Sequence, residues 1–253
     1  MRKLKIGLLI TPGMSQFNLK VLDQVQSLVI TSVCFAIINV KKPLTFKQKL
    51  KKNLKRGRGG YMLIMALNKM KRRNSKQINT KDYLDRHQIE YIETDNPYNE
   101  TMLSVIKEQK LDLLLLINGY GIIKKPLLNI CPHGVLSYHH GDLRKYRGMP
   151  PVFWEMYYGE KEVGAVVQVL DEGLDKGEVM AECKVPIPKK ARLADVKKQL
   201  YDKSIQLMPE AIHNIYYGVQ PVEINEFGKV YTLPNIRQWL WFQVKMLFRK
   251  VRK

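Results

Sequence analysis

Two stretches of the sequence combine ionisable side chains with glycine-rich backbone, a combination often found in functional loops. The first, SYHHGDLRKYRG at 137–148, contains His139, and the second, LDEGLDKGE at 170–178, contains Asp175. An imidazole titrates near neutral pH, and a neighbouring carboxylate can orient it and stabilise its charged form. The two stretches could therefore move protons together, although a loop histidine or an acidic turn is also an ordinary surface feature.

Apolar runs and helical patterns alternate along the chain and predict the elements that hold these two stretches. Strands are predicted at 4–10, 28–40, 89–94, 111–117, 135–138 and 164–170. Helices are predicted at 19–25, 80–86, 101–109, 150–158 and 191–217. This alternation indicates an α/β fold with a mostly parallel sheet flanked by helices. Ligands of such sheets bind at the carboxyl ends of the strands, and both stretches follow predicted strands.

The residues of these stretches resemble those of the formyltransferase family, which contains methionyl-tRNA, glycinamide-ribonucleotide and sugar N-formyltransferases. That family shows Asn-x-His, then a loop that ends in Arg-Gly or Pro-Gly, then a distant LDxG. Here His139 leads to RG at 147–148, and LDKG follows at 174–177 with the family's spacing. GEKEVG at 159–164 and VLDEG at 169–173 are similar to two further motifs of the family.

The resemblance is specific over residues 111–185, and it implies a Rossmann-like fold and transfer of a formyl group from 10-formyltetrahydrofolate to an amine. It implies that His139 polarises the formyl oxygen and shuttles a proton, while Asp175 orients His139 and tunes its pKa. Ser137 stands where the family has Asn, so a shorter hydroxyl donor, or His140, has to stabilise the oxyanion. Because of this departure, a 10-formyltetrahydrofolate hydrolase and an inactive membrane-associated binding protein stay open as alternatives.

The resemblance also implies that folate lies against the backbone of two loops whose glycines allow close approach. The residues assigned to folate binding are Tyr120, Gly121, Ile122, Ile123, Asp171, Glu172, Gly173 and Leu174. No metal is expected, because the cysteine and three histidines at 131–140 match no standard zinc spacing. The three cysteines of the chain lack CxxC spacing and fit a reducing, cytoplasmic setting better than a disulfide framework.

The net charge of +20 is concentrated in two segments. Of the 43 Lys and Arg, 14 lie at 41–76 and six at 237–253, without Asp or Glu, and the remaining 23 balance the 23 acidic residues. This distribution favours a neutral catalytic domain at 1–217 with a basic insertion at 41–76, followed by a C-terminal extension at 218–253. The extension is predicted to be too short for the RNA-binding domain of methionyl-tRNA formyltransferases, although an enzyme of that kind stays an alternative.

The segment at 237–253 interleaves aromatic and aliphatic residues with basic ones, as an interfacial helix on anionic lipid does. A basic amphipathic helix docked on the core is the alternative. No stretch approaches the roughly 20 apolar residues of a membrane span, so a cytoplasmic protein held peripherally at the inner face of the plasma membrane is predicted. This location, and the similarity of PVFW at 151–154 to sugar N-formyltransferases, favours an amino sugar or related small-molecule or lipid-linked amine as acceptor. Nucleic acid is a less favoured partner.

Overall fold

The structure of the protein, a computed structural model, is organised around one seven-stranded sheet. The described residues are 2–41, 44–55, 77–118 and 120–251. Most of the basic insertion predicted at 41–76 therefore lies outside the described residues.

The elements follow in chain order. The strands are β1 (Leu4–Ile10), β2 (Gly13–Met14), β3 (Thr31–Asn39), β4 (Ile78–Asn79), β5 (Glu90–Thr94), β6 (Leu113–Leu116), β7 (Val135–His139), β8 (Tyr146–Gly148), β9 (Glu162–Val169), β10 (Glu178–Pro186) and β11 (Lys229–Tyr231). The helices are α1 (Gln16–Gln26), α2 (Phe46–Leu54), α3 (Thr80–Arg86), α4 (Glu100–Glu108), α5 (Phe153–Tyr158), α6 (Leu193–Ser204), α7 (Leu207–Tyr216) and α8 (Ile236–Val251).

The central sheet has the order β10-β9-β7-β6-β1-β3-β5. Strands β7, β6, β1, β3 and β5 run parallel, whereas β9 is antiparallel to both β7 and β10. The prediction of a mostly parallel sheet flanked by helices is confirmed. The strand order switches direction at β1, because β3 and β5 extend the sheet on one side and β6 and β7 on the other. Ligands of open α/β sheets bind outside the carboxyl ends of the strands at such a point.

Strand β1 shows why the predicted strands are apolar along their whole length. Leu8 and Ile10 belong to the core that contains Val21 of α1, whereas Leu9 belongs to the core that contains Ile106 of α4. Because packed elements cover both faces of the sheet, neither face needs the polar alternation of a half-exposed strand.

The single helix predicted at 191–217 is wrong, because the structure divides it into α6 and α7. Pro209 has no N–H to donate to the Ile205 carbonyl, so the helical hydrogen-bond ladder is interrupted there. The Tyr138 hydroxyl lies 2.9 Å from the Ser204 carbonyl oxygen and 3.2 Å from that of Ile205. A side chain from the sheet thus bonds to the carbonyl groups that a continuous helix would have used.

Two other elements differ from the sequence-based prediction. The helix predicted at 150–158 begins only at Phe153, since Val152 has a φ of 72°, outside the helical region. Strand β10 was not predicted, because its run EVMAECKVP mixes charged and apolar residues. That mixture suits the edge of the sheet, where β10 lies.

The described part of the C-terminal extension packs against the rest of the domain. Strand β11 pairs in parallel with β8. The Trp154 indole N–H lies 3.1 Å from the carbonyl oxygens of both Met149 and Thr232. Phe242 of α8 is 1% exposed, and its ring centroid lies 4.6 Å from that of Phe153. The extension is therefore part of the main core.

Candidate active site

His139 and Asp175 lie side by side at the carboxyl edge of the sheet. His139 is the last residue of β7, and Asp175 lies in the loop between β9 and β10. His139 Nδ1 lies 3.4 Å from Asp175 Oδ1, and the two side chains are 8% and 17% exposed. The fold thus joins the two stretches that the sequence singled out.

His139 has a hydrogen-bond acceptor at each ring nitrogen. Nε2 lies 3.0 Å from the carbonyl oxygen of Tyr146, and Nδ1 faces Asp175. A neutral imidazole has only one N–H, so only the protonated ring satisfies both acceptors. Burial by itself lowers the pKa of His139, but the hydrogen bond and charge of Asp175 and the Tyr146 carbonyl outweigh it and raise that pKa above its ordinary value. The surroundings therefore favour an imidazolium.

Asp175 is held in a left-handed backbone conformation with a φ of 49°. Such a conformation costs a non-glycine residue on the order of 1 kcal/mol or more, and it is often found at functional sites. Asp175 Oδ2 accepts the backbone N–H of Gly148 at 2.8 Å. Burial by itself raises the pKa of Asp175, but His139, the Gly148 N–H and Arg147 outweigh it and lower that pKa. The raised pKa of His139 and the lowered pKa of Asp175 therefore both favour an imidazolium beside a carboxylate.

Gln168 of β9 fixes the loop that carries Asp175. Its side chain is buried, and its Oε1 accepts the backbone N–H of Gly177 at 2.9 Å. A side chain at Gly177 would collide with the Val169 carbonyl oxygen, so the glycine of LDxG allows the loop to pack closely on β9. In the sequence, Gln168 is only a single polar residue within an apolar strand, so its contact with Gly177 could not be predicted.

Strand β8 supports the pair from the other side. Gly148 has a φ of 88°, and a side chain there would collide with the carbonyl oxygen of Tyr231 in β11. Arg147 donates from Nε to the Gly228 carbonyl at 2.7 Å and from a terminal nitrogen to the Leu174 carbonyl at 3.0 Å. The C-terminal extension therefore braces the loops that position the pair.

Ser137 shares a face of the sheet with His139, because residues i and i+2 of a strand point the same way. Ser137 is half-buried, and its hydroxyl lies 3.4 Å from the Tyr138 carbonyl, a long hydrogen bond. This weak contact leaves the hydroxyl able to turn towards a ligand.

His140 points to the opposite face of the sheet. Its ring stacks on Tyr201 with a centroid distance of 4.1 Å, and its Nε2 lies 3.3 Å from Ser204 Oγ. The expectation that His140 could replace the oxyanion donor is therefore not met, because alternation along β7 separates its side chain from that of His139.

The buried His140 predicts an acid-sensitive fold. Burial lowers the pKa of His140 to about 3, from an ordinary value of 6.5. Between these values the unfolded chain binds a proton that the folded state does not, so stability falls as pH drops below 6.5. His140→Phe keeps an aromatic ring in the stack and removes this titration. Between pH 8 and pH 5, the free energy of unfolding, measured with urea, should fall by about 2 kcal/mol less in the variant than in the unchanged protein.

His139, whose pKa is raised, acts in the opposite direction, since its contribution is complete below its unfolded pKa and is lost as pH rises through the folded value. It is present in both proteins, so the difference between them isolates His140. An equal loss of stability in the two proteins would contradict the assignment of a buried neutral His140.

The two loops predicted to bind folate lie together beside the pair. An ion pair between Lys125 and Glu172 joins them. Ile122 and Leu174 expose 68% and 46% of their surface. Each of the two loops therefore presents an apolar side chain to solvent.

The remaining residues assigned to folate differ in what they present. Tyr120 and Ile123 are buried in the core. At Gly121 there is open space, with nothing within 4 Å of where a side chain would begin. Asp171 is exposed and Gly173 half-buried.

Asn118 fixes the start of the first loop at the point where the strand order switches direction. Its Oδ1 accepts the backbone N–H and the hydroxyl of Thr11, each at 2.9 Å. Its Nδ2 donates to the Gly13 carbonyl at 2.8 Å. Asn118 thus joins the carboxyl ends of β1 and β6 and positions the loop.

The cysteine and three histidines considered as metal ligands differ in burial. Cys131 is buried, and burial raises the pKa of its thiol to about 12, whereas His133 is exposed. Within the part of the chain that the structure describes, no three His, Cys, Asp or Glu side chains are grouped to hold a metal ion.

The fold agrees with the comparison to known families. The family model described as Formyl transferase matches residues 34–212 of this chain. The chain belongs to the formyl transferase family. A methionyl-tRNA formyltransferase from Desulfotalea psychrophila is 33% identical over 108 residues, which are 42% of this chain and 32% of that protein. The match therefore spans about a third of the relative's length.

Solved structures of several formyl-group enzymes share the fold. Glycinamide ribonucleotide transformylase 1 from Symbiobacterium toebii is 17% identical with a TM-score of 0.61, over 90% of this chain and 95% of that one. A formyltetrahydrofolate deformylase from Pseudomonas syringae is 16% identical with a TM-score of 0.62, over 91% and 67%. An N-formyltransferase from Helicobacter canadensis, with folinic acid and dTDP-3-aminofucose, is 15% identical with a TM-score of 0.56, over 93% and 72%. At these identities the likeness establishes the fold.

Proposed function

We propose that the chain transfers a formyl group from 10-formyltetrahydrofolate to the primary amine of an amino sugar or a related cell-envelope precursor. The observation that carries the proposal is the buried His139–Asp175 pair at the carboxyl edge of the sheet. Membership of the formyl transferase family supports the class of reaction. The exposed apolar side chains of the two neighbouring loops and the open space at Gly121 support the folate donor.

The reaction defines what the pair has to do. The amine nitrogen attacks the formyl carbon, negative charge develops on the formyl oxygen, and the bond from the carbon to the folate nitrogen then breaks. The amine loses a proton and the folate nitrogen gains one, so the site must stabilise an oxyanion and allow proton transfer. The buried imidazolium of His139 supplies a positive charge that water does not screen.

His139 can stabilise the oxyanion in two ways, which differ in the partner of Nε2–H. Its charge stabilises the oxyanion while Nε2–H stays on the Tyr146 carbonyl. A direct hydrogen bond to the formyl oxygen requires Nε2–H to leave that carbonyl. Asp175, the more exposed of the pair, keeps the ring charged in either position. Ser137, on the same face, supplies the hydroxyl donor in place of the family's amide.

An aromatic cluster beside the pair supports an amino-sugar acceptor. Tyr158 is half-exposed, and its ring centroid lies 6.3 Å from that of Tyr146 and 5.9 Å from that of Tyr231. Aromatic rings offer broad apolar faces with polar tips, which suits the faces of sugar rings. The related Helicobacter canadensis enzyme was solved with an amino-sugar nucleotide. Phe153 and Trp154, by contrast, are buried and serve packing.

The proposal is tested by incubating the purified full chain with 10-formyltetrahydrofolate and a panel of amines. The panel contains amino-sugar nucleotides, glycinamide ribonucleotide and methionyl-tRNA, and mass spectrometry identifies the formylated product. We expect a formylated amino sugar and an equal amount of tetrahydrofolate.

The other outcomes discriminate among the alternatives. Free formate released without an acceptor would identify a hydrolase. Formylation of methionyl-tRNA alone would overturn the amino-sugar acceptor and keep the transferase. No loss of the donor with any amine would overturn the proposal as a whole and favour a binding protein.

A further inference from the structure

Helix α8 has apolar residues on two opposite sides. The inner side, which contains Trp239, Phe242 and Met246, packs against the core. The outer side exposes a second group of apolar residues, Leu240, Trp241, Val244, Leu247 and Phe248. A helix on the surface of a protein in water normally has polar residues on its outer side. The outer side of α8 is therefore suited to an apolar environment.

The charged residues around α8 are all basic. The segment at 237–253 contains six Lys and Arg and no acidic residue. Within α8, Arg237 is exposed, and Lys245 donates to the Tyr157 carbonyl at 2.9 Å. The segment therefore combines basic residues with exposed apolar ones, and it contains no acidic residue that would neutralise their charge.

Helix α2 shows the same combination of residues. Phe46, Leu50 and Leu54 are four residues apart and share one side of the helix, and no residue of α2 is buried. Phe46 and Leu54 are 49% and 60% exposed. The basic residues of the helix and its C-cap are Lys47, Lys49, Lys51, Lys52 and Lys55. A Thr45 capping box holds the first turn, so the helix presents an ordered amphipathic surface.

We propose that α2 and the outer side of α8 bind an anionic membrane surface. Apolar side chains of such helices enter the acyl boundary, and lysines and arginines meet the anionic headgroups. Exposed apolar side chains on both helices favour lipid over nucleic acid, because basic residues bind phosphates without an apolar surface. Within the described residues, no helix is long and apolar enough to cross a bilayer.

The attachment of α8 relates this surface to the candidate site. Strand β11, which precedes α8, pairs with β8, and β8 contains the Tyr146 carbonyl that contacts His139. The orientation of α8 relative to the site is therefore set by packing. Presentation of a lipid-linked amine to the site rests on the proposed function. Membrane binding by α2 and α8 does not depend on that function.

Vesicle co-sedimentation of the full chain tests the proposal. We expect binding to phosphatidylcholine vesicles that contain phosphatidylglycerol, weak binding to phosphatidylcholine alone, and release as salt is raised. Replacing both Trp241 and Phe248 with Gln should weaken binding at least about tenfold, because two large apolar side chains no longer enter the lipid. Val29→Gln is the matched control, since Val29 is 82% exposed and lies outside both helices.

A second pair of variants tests the charges. Replacing Lys47 and Lys51 with Gln should weaken binding by about fivefold for each charge near the surface. Replacing Lys20 and Lys107, exposed on other helices, removes the same charge and should have little effect. Circular dichroism melting establishes that each variant is folded.

Three results would overturn the membrane surface. One is equal binding of the unchanged protein to neutral and anionic vesicles. Another is a dimer, seen by sedimentation, that the Trp241 and Phe248 replacements dissociate, since a second copy would then cover α8. The third is tRNA binding that the lysine replacements abolish while vesicle binding is absent. Formyl transfer to soluble amines, measured on the same proteins, separates failure of this inference from failure of the proposed function.

Discussion

His139→Ala is expected to reduce formyl transfer at least about a hundredfold, the usual lower range for loss of a general acid or base. The variant loses the buried positive charge that faces the developing oxyanion. Asp175→Asn should cause a loss of similar size by a different route. Its amide still offers an oxygen to the Gly148 N–H but no longer holds His139 in the charged form. Rates are measured under saturating donor, and melting curves check the fold.

A histidine away from the site provides the control. His133→Ala removes an exposed imidazole and should leave the transfer rate close to that of the unchanged protein. Unaltered turnover in a folded His139→Ala variant with a genuine acceptor would remove this residue from the mechanism. A loss of activity confined to Asp175→Asn would make Asp175 the principal group.

Gly148→Ala should be a strongly disruptive single-methyl change near the site. The added methyl would collide with the Tyr231 carbonyl, and alanine is strained at a φ of 88°. We expect a loss of about 2 to 4 kcal/mol of stability, because β8 and β11 must separate or shift. Transfer should fall more than about tenfold even at temperatures where the variant is folded, since the Gly148 N–H holds Asp175.

Gly218→Ala is the matched control for backbone strain. Gly218 also has a positive φ, 67°, but nothing lies within 4 Å of the position of its added methyl. Its cost should be limited to about 1 kcal/mol of backbone strain. Equal destabilisation by the two substitutions would show that the contact between β8 and β11 does not hold Gly148 in place.

The sequence predicted those features of the site that depend on position along a strand. His139 ends β7, and LDxG follows the neighbouring strand β9. Since antiparallel pairing places the end of β9 opposite Leu136, the loop has to fold back along β9 to bring Asp175 to His139. The mostly parallel sheet was predicted from apolar runs, because buried strands have a strong apolar signal. The catalytic roles of these residues follow from the family resemblance and await the measurements above.

Other features depended on contacts that leave no signal in local sequence. The acceptor at His139 Nε2 is a backbone carbonyl, which every residue possesses. The break between α6 and α7 has a local signal in Pro209, but it also uses the hydroxyl of Tyr138, more than 60 residues away along the chain. The bracing of the site by β11 depends on a parallel pairing of two short strands. Long-range contacts of this kind are decided by tertiary packing.

The charge pattern offered two interpretations of the last helix, one docked and one interfacial. Phe242 is in the core, so the docked interpretation is correct for one side of α8. Phe248 is 67% exposed on the other side, for which the interfacial interpretation stays a proposal. Periodicity alone could not separate them, because a helix that is apolar on two sides lacks the single polar face that a docked surface helix shows.

The most direct test of the account is a single-turnover experiment with the protein in excess over 10-formyltetrahydrofolate. Conversion of the donor to tetrahydrofolate is followed with and without an amino-sugar nucleotide. The account predicts rapid, amine-dependent conversion that is lost in Asp175→Asn. A donor that stays intact in the presence of the folded protein and every amine of the panel would contradict it.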